Sequence, residues 1–376
     1  MIRVLHVISD ENIGGAGVLL SSLLKNLDEN RIESLVALPK KGALCERLSE
    51  LHVPIFSLDV PVDRLSARSV IEVRRLLRVT KPDLVHSNAA ISARFCARLC
   101  HIPVMHTRHC CFPPEGIWRY GPIRKLGGVW NRALSDLVIA TAEAAKTDLL
   151  MLGIPQNRIH VVINGSEPIR ELTDSELQEI RKKWGLTERD FTVGICARLV
   201  PCKGHRVFLE AAKKLIEAAP LYAFRFLVVG EGEERANLEA FCRELGISKH
   251  VIFTGFVSDM ATVYRILRVN VNCSTGTETS CLAISEGMSA GVPAVVSDYG
   301  GNRAMIGESM AGIVYPAGDS QCLFQAVLSI ANDPAREQRM RSAAYRRYLE
   351  HYTARGMAEE VEKLYLDLAG QRANKS

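Results

Sequence analysis

The chain has 376 residues, 47% of them hydrophobic and 24% charged, and a formal net charge of +5. That length exceeds the roughly 250–300 residues at which one hydrophobic core stops growing, so two domains are expected, and the composition excludes a disordered chain. No apolar run approaches the roughly 20 residues that span a bilayer, and the apolar start Met1–Ile8 meets Ser9-Asp10-Glu11 too early for an export signal.

Ile2–Ser9 is β-branched and apolar; Gly14-Gly15-Ala16-Gly17 follows, then Val18–Leu27 with Leu19, Leu20, Leu23, Leu24 and Leu27 at helical spacing. The pattern reads strand, glycine loop, helix. Gly14 and Gly15 would let the backbone approach phosphate or sugar oxygens, although a tight turn also uses such glycines. Short apolar runs at Ser34–Leu38, Val53–Leu58, Leu84–Ser87, Val104–Thr107, Leu137–Thr141 and His160–Ile163 alternate with helical stretches, which predicts a parallel sheet covered on both faces. The excess charge lies in this half: residues 1–172 hold 22 Lys/Arg against 17 Asp/Glu, and residues 173–376 hold 25 of each. Much of it sits in Arg64, Arg68, Arg74, Arg75, Arg78 and Lys81, on a segment whose Leu65, Ile71, Leu76 and Leu77 predict an amphipathic helix. That face would suit anionic lipid or an anionic acceptor, and equally a solvated helix surface.

The 11 cysteines are an odd number without a C-x-x-C pair and include adjacent Cys110-Cys111, which reads as free thiols in a reducing cytoplasm. Cys96 and Cys100 beside His101 read as small thiols buried on a helix rather than a zinc site, so no metal is expected.

After the polar stretch Asn164–Ser175 and a charged helix to Trp184, the strand and helix pattern restarts. Strands are predicted at Phe191–Ala197, Phe224–Val229, Val251–Thr254, Val269–Cys273 and Ala294–Ser297, with helices at Phe208–Ala218, Glu234–Leu245, Ser258–Arg265, Leu282–Ala290 and Gln321–Ala331. Two doubly wound domains are expected to face each other across a cleft, with ligands outside the carboxyl ends of the strands. The domains are drawn at 1–172 and 173–354, with a helix from 355 to 376 crossing back to the first.

Arg198, Pro201, Lys203 and Gly204 follow the strand Phe191–Ala197. A diphosphate suits them, because Arg offers a fork of donors and Lys a mobile point charge; by themselves they are ordinary loop cations. Thr275–Gly291 reads TGTETSCLAISEGMSAG. Glu278 precedes a helix there and Glu286 lies about two turns further on. The helix start is expected to offer backbone N–H groups at Thr279, Ser280, Cys281 and Leu282 to phosphate or sugar oxygens, and Glu286 would accept from ribose hydroxyls. Gly230-x-Gly232 has Arg235 where a dinucleotide loop needs a small residue, which argues against NAD. On the strand Val104–His109, Met105, Thr107 and His109 share one face while Val104, His106 and Arg108 share the other.

Over nearly its whole length the chain resembles the retaining, GT-B-fold glycosyltransferases of family 4. The family binds its donor with two glutamates separated by seven residues, the spacing of Glu278 and Glu286, and ARLVPCKG (Ala197–Gly204) is similar to its phosphate-binding loop. VVGEGEERANLEAF (Val228–Phe241), FTGFVSD (Phe253–Asp259) and GVPAVVSDYGG (Gly291–Gly301) fall in the family's order. The resemblance implies that Arg198 and Lys203 hold the diphosphate, that Phe256 and Val257 border the base, and that His109 is the active-site histidine. The chain departs from it at Thr279-Ser280-Cys281, where most relatives carry Gly-Phe-Gly, and at Ala304, where many carry glutamate.

The expected activity is therefore retaining transfer from a UDP- or GDP-type sugar to a hydroxyl acceptor, without metal or cofactor. The acceptor would be a glycan or a lipid-linked sugar at an anionic membrane face, selected by His106–Lys125, and no nucleic acid is involved. A catalytically silent nucleotide-sugar-binding protein and a GT-B epimerase or phosphorylase are the alternatives.

Overall fold

The computed structural model describes residues 1–10, 14–39, 42–109, 121–276 and 278–373. Two compact units result, one of residues 1–165 with the C-terminal helix and one of residues 166–353.

In the first unit β1 (Ile2–Ile8), α1 (Gly15–Asn26), β2 (Ile32–Pro39), α2 (Ala43–Ser49), β3 (Ile55–Leu58), α3 (Ala67–Thr80), β4 (Leu84–Asn88), α4 (Ile91–Leu99), β5 (Val104–Arg108), α5 (Gly121–Ala133), β6 (Leu137–Ala140), α6 (Glu143–Met151) and β7 (Ile159–Val161) follow in turn. The strands form a seven-stranded parallel sheet in the order β3-β2-β1-β4-β5-β6-β7.

The second unit contains α7 (Asp174–Trp184), β8 (Phe191–Cys196), α8 (His205–Ala218), β9 (Phe224–Val229), α9 (Arg235–Glu244), β10 (Val251–Gly255), α10 (Ala261–Tyr264), β11 (Val269–Asn272), α11 (Leu282–Ser289), β12 (Ala294–Ser297), α12 (Asn302–Ile306), β13 (Gly312–Tyr315), α13 (Ser320–Ala331) and α14 (Pro334–His351). Its six parallel strands run β10-β9-β8-β11-β12-β13, the doubly wound order expected of a Rossmann-like sheet. Its core joins Phe191, Phe224 and Phe226 on the strands to Phe208 of α8 and Leu323 of α13. α15 (Ala354–Ala373) returns to the first unit, against α1. Among the described residues no helix is long and apolar enough to cross a membrane.

Several elements differ from the sequence reading. α1 begins at Gly15, so the glycines form its N-terminus rather than a separate loop. The helix expected over Ser258–Arg265 shrinks to α10, because the Asp259 carboxylate accepts from the Ala261 N–H (3.1 Å) and holds the preceding residues in a turn. β13 and α14 were not anticipated; α14 is rich in charged residues, and Asp333 starts it by accepting from the Arg336 N–H at 2.8 Å. Residues 166–172 cluster with the second unit, since the Ser166 N–H bonds the Tyr352 carbonyl (2.9 Å) and the Ile169 N–H bonds Ser289 Oγ (3.0 Å).

Both faces of a parallel sheet are covered, so a polar side chain in mid-strand is stranded unless something meets it. β1 and β4 place His6 beside His86, with ring centroids 5.5 Å apart. His86 bonds Tyr365 Oη of α15 through Nδ1 (2.5 Å) and Thr107 Oγ1 through Nε2 (2.7 Å). His6 is fully buried and has no hydrogen-bond partner among the described residues, and burial pushes its pKa from 6.5 down to about 3. The fold therefore favours the neutral ring: His6's contribution is complete above the ordinary value of 6.5 and is lost as pH falls toward the folded value. At pH 5 the loss should be on the order of 2 kcal/mol. Urea unfolding at pH 7.5 and pH 5 should show a smaller acid loss for His6→Leu than for the wild type; equal losses would contradict the assignment.

Candidate functional site

In a doubly wound sheet the chain turns in opposite directions from the two strands where the order reverses, and the loops after those strands separate to leave a crevice. In the second unit these strands are β8 and β11, paired with Val271 beside Ile195. Arg198 and Lys203 follow one, and Glu278 follows the other. The Thr275 N–H donates to the Cys202 carbonyl at 2.8 Å and ties the loops together. Their close approach requires glycine: Gly204 has φ +68°, and a Cβ there would lie 2.1 Å from the Cys273 carbonyl oxygen. Gly300, with φ +59°, lies as tightly against the Glu278 carbonyl oxygen.

Lys203 Nζ donates to Glu278 Oε2 at 2.7 Å, with side chains 16% and 8% exposed. The same oxygen accepts from Ser274 Oγ (2.7 Å) and Asn272 Nδ2 (3.4 Å). Behind them, Asn272 Oδ1 accepts from the Ser274 N–H and from Asn302 Nδ2, each at 3.0 Å, and Ser297 Oγ donates to the Ser274 carbonyl at 2.7 Å. Asn272, Ser274, Ser297 and Asn302 are all buried. Oε2 thus takes every bond that the described residues offer this carboxylate, and Oε1 is left for a ligand. Burial lowers the pKa of the Lys203 ammonium, but the charge of Glu278 and its hydrogen bond outweigh that and raise it overall. Lys203 therefore stays cationic at neutral pH. Arg198 is exposed in the same loop.

Glu286 lies about one turn along α11, half-buried, and its Oε2 accepts from Tyr264 Oη at 3.1 Å. Burial pushes the Tyr264 hydroxyl well above its ordinary range, so it remains a donor. The start of α11 differs from expectation. Thr279 and Ser280 are buried residues ahead of the helix, which begins at Leu282 with Cys281 as its cap. The Cys281 N–H points to Met305 Sδ (3.2 Å), and its sulfur accepts from Asn272 Nδ2 at 3.2 Å. The Cys281 amide is therefore engaged rather than open, and burial pushes the thiol up to about 12. Phe256 is 65% exposed, whereas Val257 packs into the apolar cluster around Tyr264.

In the first unit His109 follows β5, with Nε2 2.8 Å from Asn88 Oδ1 at the end of β4. Burial pushes its pKa down to about 4, so the ring is neutral, and because Oδ1 only accepts, Nε2 carries the proton. A Cβ at Gly14 or Gly15 would meet nothing within 4 Å among the described residues, so packing does not demand glycine there. The His106–Lys125 segment lies largely outside the described residues. Among those described, no group of three His, Cys, Asp or Glu side chains is arranged to hold a metal ion.

A family model described as glycosyl transferases group 1 matches residues 176–347, and one described as glycosyltransferase family 4 matches residues 13–169. The chain belongs to the GT-B glycosyltransferases of family 4. It is 27% identical over 290 residues to the 2-deoxystreptamine glucosyltransferase of Streptomyces kanamyceticus, covering 72% of this chain and 73% of that one. To the UDP-Gal:alpha-D-GlcNAc-diphosphoundecaprenol alpha-1,3-galactosyltransferase of Escherichia coli it is 25% identical over 312 residues, 80% and 79% of the two chains. The crystal structure of Anabaena HepE in complex with UDP superposes with a TM-score of 0.84 at 21% identity, over 97% of this chain and 100% of that one, which shows the shared fold.

Sequence reasoning found the charged residues of this glycosyltransferase but not the groups that hold them: Asn272, Ser274 and Asn302 around Glu278, and Tyr264 against Glu286. Ser274 lies four residues before Glu278 and was within reach of a local reading; Asn302 and Tyr264 come from distant turns. Lys203→Met would strand the buried Glu278 carboxylate, at an expected cost on the order of 3 kcal/mol. Adding Glu278→Gln should restore much of it. Denaturant midpoints of both variants test this, and a fully stable single variant would mean that the pair is not buried in solution.

Proposed function

We propose that this glycosyltransferase moves a hexosyl group from a UDP- or GDP-sugar to a hydroxyl of a glycan or lipid-linked acceptor, in the cytoplasm and with retained anomeric configuration. What carries the reading is the juxtaposition of Lys203 and Glu278 at the reversal of the second sheet, with Arg198 in the same loop. Arg198 and Lys203 would take the charge that develops on the leaving β-phosphate, where stabilisation counts most. These two cations supply that charge without requiring a divalent ion. Glu278, whose Oε2 accepts from three donors, is better suited to orienting a sugar hydroxyl through Oε1 than to attacking carbon. The leaving phosphate would then receive the acceptor's proton. Glu286 is assigned to the ribose, Phe256 and Val257 to the base, and Thr279, Ser280, Cys281 and Leu282 to the edge of the donor pocket. In the first unit, Gly14, Gly15 and the neutral His109 are assigned to the transferred sugar and the acceptor.

Thermal shifts with UDP, GDP, ADP and CMP should single out one nucleoside diphosphate, with a rise equivalent to about 2.7 kcal/mol at a hundred times its dissociation constant. Glu286→Ala should remove most of that rise; an undiminished shift would clear Glu286 of the ribose. With the matching sugar donor, Lys203→Ala and Arg198→Ala should each lower kcat by at least about a hundredfold. Proton NMR of the first product should show the donor's own anomeric configuration, and the inverted anomer would refute the retaining mechanism.

A further inference from the structure

The donor reading leaves the basic helix of the first unit unused. Ser66 caps α3 by accepting from the Ser69 N–H, and Val73, Leu76 and Leu77 bury its inner side. At 100° per residue, Arg74, Arg78, Ile71, Arg75, Arg68 and Val79 fall on the outer side within an arc of roughly 140°. All six are exposed, Ile71 at 69% and Val79 at 67%. Among the described residues no acidic side chain pairs with any of these four arginines, and Glu72, at the edge of the arc, accepts instead from the Asp59 N–H at 2.7 Å. Beside the helix, Phe56, Leu58, Val60 and Leu76 line a groove of about 550 Å³ that Arg68 and Arg75 border.

We propose that this face docks the first unit on an anionic lipid bilayer, with the guanidinium groups on lipid phosphates and Ile71 and Val79 entering the interface between them. Charge of one sign selects an anionic partner. The two aliphatic side chains select lipid over nucleic acid, since they would gain nothing from a sugar-phosphate backbone and the face presents no aromatic platform for bases. The helix is 14 residues long, roughly 21 Å at 1.5 Å per residue, which gives an extended patch suited to a sheet of headgroups. The inference stands apart from the donor reading, because none of its residues follows β8 or β11.

The test is flotation of the full chain with vesicles of phosphatidylglycerol in phosphatidylcholine, against phosphatidylcholine alone. Wild type should float with the anionic vesicles only, and less at high salt. Arg68→Glu with Arg75→Glu should lower partitioning at least about tenfold, and Ile71→Ser with Val79→Ser several-fold. These side chains are exposed, so both variants should keep the wild-type melting temperature and the nucleotide-induced thermal shift. That control separates loss of the membrane surface from failure of the donor assignment. Absence of wild-type flotation at low salt, equal flotation with neutral vesicles, or undiminished flotation of the charge-reversed variant would overturn the proposal.

Discussion

Where a parallel sheet reverses its winding, two neighbouring loops leave the strand ends with no helix crossing over them, and the second unit gathers its chemistry at that opening. β8 delivers Lys203 and β11 delivers Glu278, and glycines at 204 and 300 let the backbones press close enough for the pair to form at 2.7 Å. A buried ion is costly unless paired and hydrogen-bonded. Each loop therefore supplies the other's counter-charge, and the geometry of both loops depends on the pair. A diphosphate arriving at Lys203 would compete with Glu278 for the ammonium. Ser274 and Asn272 matter at that moment: they are neutral donors on Oε2 that would keep the carboxylate oriented while Lys203 turns to phosphate.

The first unit uses the same sheet geometry with a different electrostatic outcome. His6 and His86 are buried and His109 is half-buried, and desolvation keeps the rings neutral at physiological pH. His86 is taken up in docking α15 through Tyr365, which makes it structural, while His109 stands after its strand on an asparagine that fixes its tautomer. α3 lies at the other extreme: its arginines are exposed and remain available to an anionic surface. Burial decides which of these groups hold a charge and which are held neutral.

Much of the architecture was legible because parallel strands covered on both faces must be continuously apolar, and runs such as Phe224–Val229 announce themselves. β13 went unread, and α14 escaped because its apolar stripe, Met340, Ala344 and Tyr348, is thin among many charged residues. Arg198, Lys203 and Glu278 were visible as charges in the loops after strands, and Glu286 by the seven residues that separate it from Glu278. Asn272, Asn302 and Tyr264 were not, because an asparagine or tyrosine in an apolar stretch carries no local mark of the partner it will meet.

The sequence by itself determined the residue types, the alternation that produces two doubly wound sheets, and the motif spacing that identifies the family. Each of these is local, written within a few turns of chain. Only the tertiary structure decided that Met305 takes the Cys281 amide, that three donors converge on one oxygen of Glu278, and that Tyr264 holds Glu286. Tyr264 meets Glu286 across 22 positions and Lys203 meets Glu278 across 75. Such distances close only when the whole sheet is assembled.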